Sequence, residues 1–130
     1  MTAKQFSRSA FRRAGSVAVE MAIIVPVVLL LTVGLMEFGR AIWIQATLDY
    51  AVQSAARCGA VNAAVCGNAS QTQAYAVTRA VGLTLNLSTF TVSTSACGMQ
   101  VTANLPFQFA APGLLPYGIT LTASACYPTP

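Results

Sequence analysis

The stretch Arg12-Arg13-Ala14-Gly15-Ser16-Val17-Ala18-Val19-Glu20-Met21-Ala22-Ile23-Ile24-Val25-Pro26-Val27-Val28-Leu29-Leu30-Leu31 decides how the rest of the chain is read. No charged residue occurs from Met21 to Met36, and extending back to Val17 gives 20 residues interrupted only by Glu20. At ~1.5 Å of helical rise per residue, about 20 apolar residues cross a hydrocarbon layer ~30 Å thick. Lys4, Arg8, Arg12 and Arg13 precede this run, and no cation follows it immediately. Positive charge collects on the cytoplasmic side of a span, so the N-terminus is expected in the cytoplasm and the remainder outside it. A cleavable secretory signal fits less well. Its apolar region is usually shorter and carries no acid, and Met36-Glu37-Phe38-Gly39-Arg40 offers no small-x-small cleavage site.

Composition agrees with this division. Hydrophobic residues make up 55% of the 130, and only seven Lys or Arg and three Asp or Glu are present, too few for an ordinary soluble surface. The net charge of +4 belongs wholly to the N-terminal arm, because from Ser16 onward Arg40, Arg57 and Arg79 balance Glu20, Glu37 and Asp49. No basic patch remains on the body for nucleic acid. The chain has no His and one Asp, and both Glu lie at the ends of the apolar segment, so no pair is placed for acid–base chemistry. Neither catalysis nor a cofactor is expected.

Four cysteines, Cys58, Cys66, Cys97 and Cys126, fall beyond the apolar run. An even count in a small domain on the far side of a membrane suits disulfides. Zinc is not expected, since no close C-x-x-C pair and no His is available. Closing a short loop favours Cys58 with Cys66, and tying a hairpin to the last strand favours Cys97 with Cys126. Spacing alone leaves all three pairings open.

Helical pattern continues past Arg40. Ala41, Ile44, Leu48, Ala51, Val52 and Ala55 share one face, and Gln45, Asp49 and Gln53 line another. One helix is expected from about Ser16 to Ala56, loosened or kinked at Pro26 and ended by Gly59. Glu37 and Arg40, at i and i+3, have the spacing of a helix-surface pair. A second helix is expected over Ser70–Val81, with Ser70 and Gln73 as a capping box, Ala74, Val77 and Val81 as its apolar stripe and Gly82 as its stop. The period then changes to two: Phe90 and Val92, then Val101, Ala103 and Leu105, then Ile119, Leu121, Ala123 and Ala125 alternate with polar residues. Cys97-Gly98 marks a hairpin turn, and Ala111 to Gly118 reads as a loop. The expected fold is α+β: a long N-terminal transmembrane helix running into a small domain with a second helix and a three-stranded antiparallel sheet.

Glu20 requires its own account, because an acid within a lipid-facing run is costly. It stands five residues after Gly15, which follows a basic arm and precedes unbroken hydrophobicity. This layout resembles a type IV prepilin processing site. The residues Gly15 and Glu20, then Ala22 to Leu31, then Leu35-Met36-Glu37-Phe38-Gly39-Arg40 resemble the opening segment of the TadE-like family, minor pilins or pseudopilins of the tight-adherence, Flp-type pilus system. The resemblance implies a pilin-like extracytoplasmic domain and a bacterial inner-membrane protein of single pass. It implies a cut between Gly15 and Ser16 by a prepilin peptidase, with Glu20 as the acid that sets packing against another subunit. Its partners would be that peptidase, other pilin or pseudopilin subunits, the pilus assembly platform and the inner membrane, and the processed chain would be pilus-associated or secreted. On this reading residues 1–15 are a basic leader, 16–38 the transmembrane helix and 39–130 the disulfide-tied domain. The competing account is an unprocessed single-span envelope protein whose domain serves as a binding or adhesion module.

Overall fold

The computed structural model describes residues 3–110 and 118–129, with residues 3–16 as backbone only. The elements are α1 (Ala3–Val61), α2 (Ala63–Cys66), α3 (Ala69–Arg79), a 3-10 turn (Leu87–Thr89), and strands β1 (Phe90–Ser95), β2 (Gly98–Phe107) and β3 (Ile119–Tyr127). By contacts the chain divides into two units, Met1–Phe38 and Gly39–Pro130.

The first unit is helix. α1 begins at Ala3 rather than near Ser16; eight of the thirteen residues from Ala3 to Gly15 are Ala, Gln, Lys or Arg, all good helix formers. It runs through Pro26 without interruption. Pro26 supplies no N–H, so the carbonyl of Ala22 lacks its usual i+4 donor, a defect that helices in lipid tolerate. Thr32 keeps its hydroxyl satisfied by donating to the Leu29 carbonyl at 3.0 Å. Every residue from 17 to 36 is exposed. This is one helix long and apolar enough to cross a membrane, and it fits a single-pass membrane protein.

In the second unit the remainder of α1 lies on the sheet. Leu48, Ala51, Val52, Ala55 and Ala56 are buried, joined by Ala76 and Ala80 near the end of α3 and by Phe90, Val101, Ala103 and Ala123 from the strands. The strand order is β1-β2-β3, antiparallel throughout. Register puts Phe90, Ala103 and Ala123 in one row and Val92, Val101 and Ala125 in the next, so the expected alternation is the packed face. The opposite rows, Thr91-Thr102-Ser124 and Ser93-Gln100-Cys126, face away from the helix. Gln45 ties α1 to β3 by donating to the Thr122 carbonyl at 2.9 Å, and Gln73 ties α3 to β1 by donating to the Phe90 carbonyl at 2.7 Å. Arg40 stacks over the Phe107 ring, 4.6 Å from its centroid, and donates to the Gln108 carbonyl.

Several local expectations are corrected. α1 passes Gly59 and ends at Val61, where the Asn62 N–H closes the last turn on the Cys58 carbonyl. Gly59 is instead a close-approach position, since a Cβ there would press on the Met99 side chain at 3.0 Å. α2 was not foreseen. α3 starts one residue before Ser70, and its cap is Asn68: the Asn68 side chain accepts from the Gln71 N–H, and the Gln71 side chain accepts from the Gly67 N–H. Its inward face is Thr72 and Ala76, continued by Ala80 just beyond its end, while Ala74 and Val81 are exposed. The buried Thr72 hydroxyl is satisfied by the Asn68 carbonyl at 3.0 Å. The hairpin turn at Cys97-Gly98 is present, and Gly98 holds φ +115, a left-handed conformation that glycine alone adopts readily. A Cβ on Gly98 would also run into the Tyr127 carbonyl. The expected loop from Ala111 lies outside the described residues up to Tyr117.

Candidate functional site

Gly15, Ser16 and Glu20 lie on the N-terminal half of α1. Gly15 and Ser16 are described as backbone, which is helical at both positions. At ~100° per residue, Gly15 and Glu20 stand about 140° apart around the axis, whereas Ser16 and Glu20, at i and i+4, share one face about 6 Å apart along it. Glu20 is exposed, flanked by Val17, Val19, Met21, Ile23 and Ile24, all at least 46% exposed. A lone carboxylate on such a surface can meet its charge requirement only from outside the helix, through water, headgroups or a partner cation.

The cysteines form two pairs at disulfide distance. Cys58 pairs with Cys66, Cα–Cα 5.7 Å and eight residues apart, and clamps α2 to the end of α1. Cys97 pairs with Cys126, Cα–Cα 6.2 Å and 29 residues apart, and joins the β1–β2 turn to β3. These are the pairs favoured from spacing. Cys58 and Cys66 are buried, whereas Cys97 is exposed beside Ser95, whose hydroxyl lies 2.9 Å from its sulfur. Among the described residues no group of three or more His, Cys, Asp or Glu could hold a metal ion.

A feature that sequence reasoning missed lies between α1 and α3. Tyr50, Ser54, Arg57 and Asn62 from α1 and its end, with Tyr75 and Arg79 from α3, line a concavity of about 310 Å³. The Arg79 guanidinium stacks on the Tyr75 ring at 4.7 Å and donates to the Tyr75 phenol oxygen at 2.6 Å. That hydrogen bond, followed by electrostatic interaction with Tyr75, raises the Arg79 pKa above its ordinary value, so it stays cationic at any physiological pH. On the other side of the Tyr50-Ser54-Arg57 ridge a second concavity, of about 320 Å³, reaches β3 at Tyr127. Arg57 and Arg79 are 22 residues apart in the chain, and no local motif announces that they line one hollow.

Comparison with known families matches residues 15–57 to the model described as TadE-like protein. Neither curated proteins nor solved structures give a match. The matched segment begins at the glycine of the expected cut, covers the whole exposed apolar run and ends one turn before α1 does. That segment, residues 15–57 or about a third of the chain, is similar to the TadE-like family, which is consistent with a protein of the tight-adherence (Tad/Flp) pilus system.

Proposed function

We propose that this chain is a TadE-like minor pilin, or pseudopilin, acting in the biogenesis or assembly of a tight-adherence type IV pilus after a prepilin peptidase removes residues 1–15. The observation that carries the reading is the family match from residue 15 onward over an exposed apolar helix with a single acid near its start. In this account the arm stays in the cytoplasm and the disulfide-tied domain lies in the periplasm. The role is structural, through contacts with other pilus components, and not catalytic.

Processing has a definite electrostatic effect. In the uncut chain Glu20 lies well inside a helix that begins at Ala3. After a cut at the Gly15–Ser16 bond, Glu20 becomes the fifth residue, in the first turns of a helix whose N-terminus carries a new ammonium and the positive end of the macrodipole. Both favour a carboxylate there. The cut also removes all four leading cations, Lys4, Arg8, Arg12 and Arg13. An anchor held to anionic inner-leaflet lipids becomes a subunit whose N-terminus can enter a bundle of like helices.

Intact mass and N-terminal sequencing of the protein from its native membrane, with and without the peptidase, test this. The expected result is a peptidase-dependent start at Ser16, lost in Gly15→Phe. A start at Met1 or Thr2 in both strains would overturn the reading in favour of the unprocessed single-span module. Glu20→Ala should leave the cut intact but weaken co-purification with other pilus subunits from detergent-solubilised membranes by about tenfold or more, in line with ~1–2 kcal/mol for a charge pair in an apolar setting. Undiminished co-purification would remove Glu20 from subunit packing.

A further inference from the structure

We propose that the ridge Tyr50-Ser54-Arg57 and the facing Tyr75-Arg79 pair bind a carboxylate-bearing peptide segment of another protein. The domain from Gly39 onward carries three cations, Arg40, Arg57 and Arg79, and one acid, Asp49. Arg40 is engaged by Phe107 and Gln108. The other two cations line one concavity, and no acid lines it. Asp49 instead lies near the Gln45 amide, 3.4 Å away, on the face toward β3. Two guanidiniums that line one hollow with no carboxylate among its lining residues leave positive charge there for an incoming acid to meet.

Each arginine also has a simpler use. Arg79 sits in the last turn of α3 and Arg57 near the end of α1, where cations meet the negative helix end. That explains a cation at either position. It does not explain why both face the same hollow, or why two phenols line it with them. The Tyr75 oxygen accepts from Arg79 and keeps its own O–H, so a donor remains for a carboxylate. Arg57 makes no hydrogen bond or ion pair among the described residues. Tyrosine and arginine together give flat, rigid area and charge, the composition of strong protein-contact surfaces.

The size of the hollow favours a peptide side chain as its occupant. The hollow of about 310 Å³ is at the small end of ligand sites and suits a side chain. The second hollow across the ridge, reaching Tyr127, provides for neighbouring residues of an extended segment. The inference does not depend on the pilus reading, since it uses only the second unit.

The test uses the full chain in uncharged detergent micelles and fluorescence anisotropy of labelled hexaglutamate, with hexaglutamine as the neutral probe. The basic arm also attracts acid, so the comparison is between wild type and Arg57→Gln/Arg79→Gln, which keep the same arm. The expected result is saturable hexaglutamate binding that weakens at least tenfold in the double variant, with unchanged Trp43 emission showing an intact domain. Arg57→Lys/Arg79→Lys should recover part of the loss, because it restores charge without the planar fork. Equal hexaglutamate binding by wild type and double variant would overturn the proposal. So would displacement of the peptide by inorganic phosphate at equal charge concentration, which would make the site a general anion trap.

Discussion

Phe90→Ala is expected to destabilise the small domain by about 3–5 kcal/mol, the largest effect of any single truncation in its core. Phe90 is 1% exposed and is the bulkiest fully buried side chain. Its row-mates across the sheet are Ala103 and Ala123, and the helix residues beneath include Ala51, Ala55 and Ala76. Methyl groups cannot swing into the space left by a phenyl ring, so the cavity would stay open rather than collapse. A domain of about 90 residues has roughly 5–14 kcal/mol in all, so the loss is a large share of it. Trp43, the sole tryptophan, is a convenient reporter, because its ring packs beside Gly82 after α3. Denaturant titration of Trp43 emission should show the midpoint falling steeply for Phe90→Ala and by much less for Phe90→Leu. A loss below about 1 kcal/mol for the alanine variant would mean that the strand face is not packed as described.

Cys97→Ala/Cys126→Ala is expected to cost about 3.5 kcal/mol, more than the roughly 2.5 kcal/mol for Cys58→Ala/Cys66→Ala. The difference follows from loop length: a 29-residue separation restrains the unfolded chain more than an eight-residue one. Burial works the other way, since Cys58 and Cys66 are enclosed and leave small voids when shortened. The two pairs therefore separate a chain-entropy effect from a packing effect. Paired denaturation curves in the same micelles would decide between them. A larger loss at Cys58–Cys66 would show that packing at the helix end, not loop closure, dominates. Reductant should reach Cys97–Cys126 first, because Cys97 is exposed.

The parts of this fold that were legible in advance rest on strong periodic signals. Val and Phe alternating with Thr and Ser specified three strands and their packed face. A charge-free run of Ile, Val and Leu specified the span. Leu48, Ala51, Val52 and Ala55 specified the docked stripe of α1. What was misread rests on weak signals. The inward face of α3 is Thr72, Ala76 and, past its end, Ala80, whose small side chains barely register as apolar, whereas Val81, 73% exposed, drew the stripe the wrong way. Gly59 and Gly82 looked alike as helix stops, but only the second has positive φ; the first lies close against the Met99 side chain. The Tyr–Arg hollow was invisible, since it depends on the rotation of two helices about their own axes. The Gly15-to-Glu20 region was legible by resemblance, and its matched span runs on to Arg57.

Seven of the eleven residues of the central cluster are alanine, so the core between helix and sheet is filled largely by methyl groups. A domain built this way has almost no freedom to exchange residues inward, because one added methylene at Ala51, Ala55, Ala103 or Ala123 must push whole elements apart. The outward rows Thr91-Thr102-Ser124 and Ser93-Gln100, by contrast, are joined only by hydroxyl and amide contacts at the surface, among the described residues, so their size is less constrained. Descent with modification would therefore write its changes on one face only. The interior would keep a nearly frozen spelling in small letters, while the hydroxyl-covered side drifted freely between lineages.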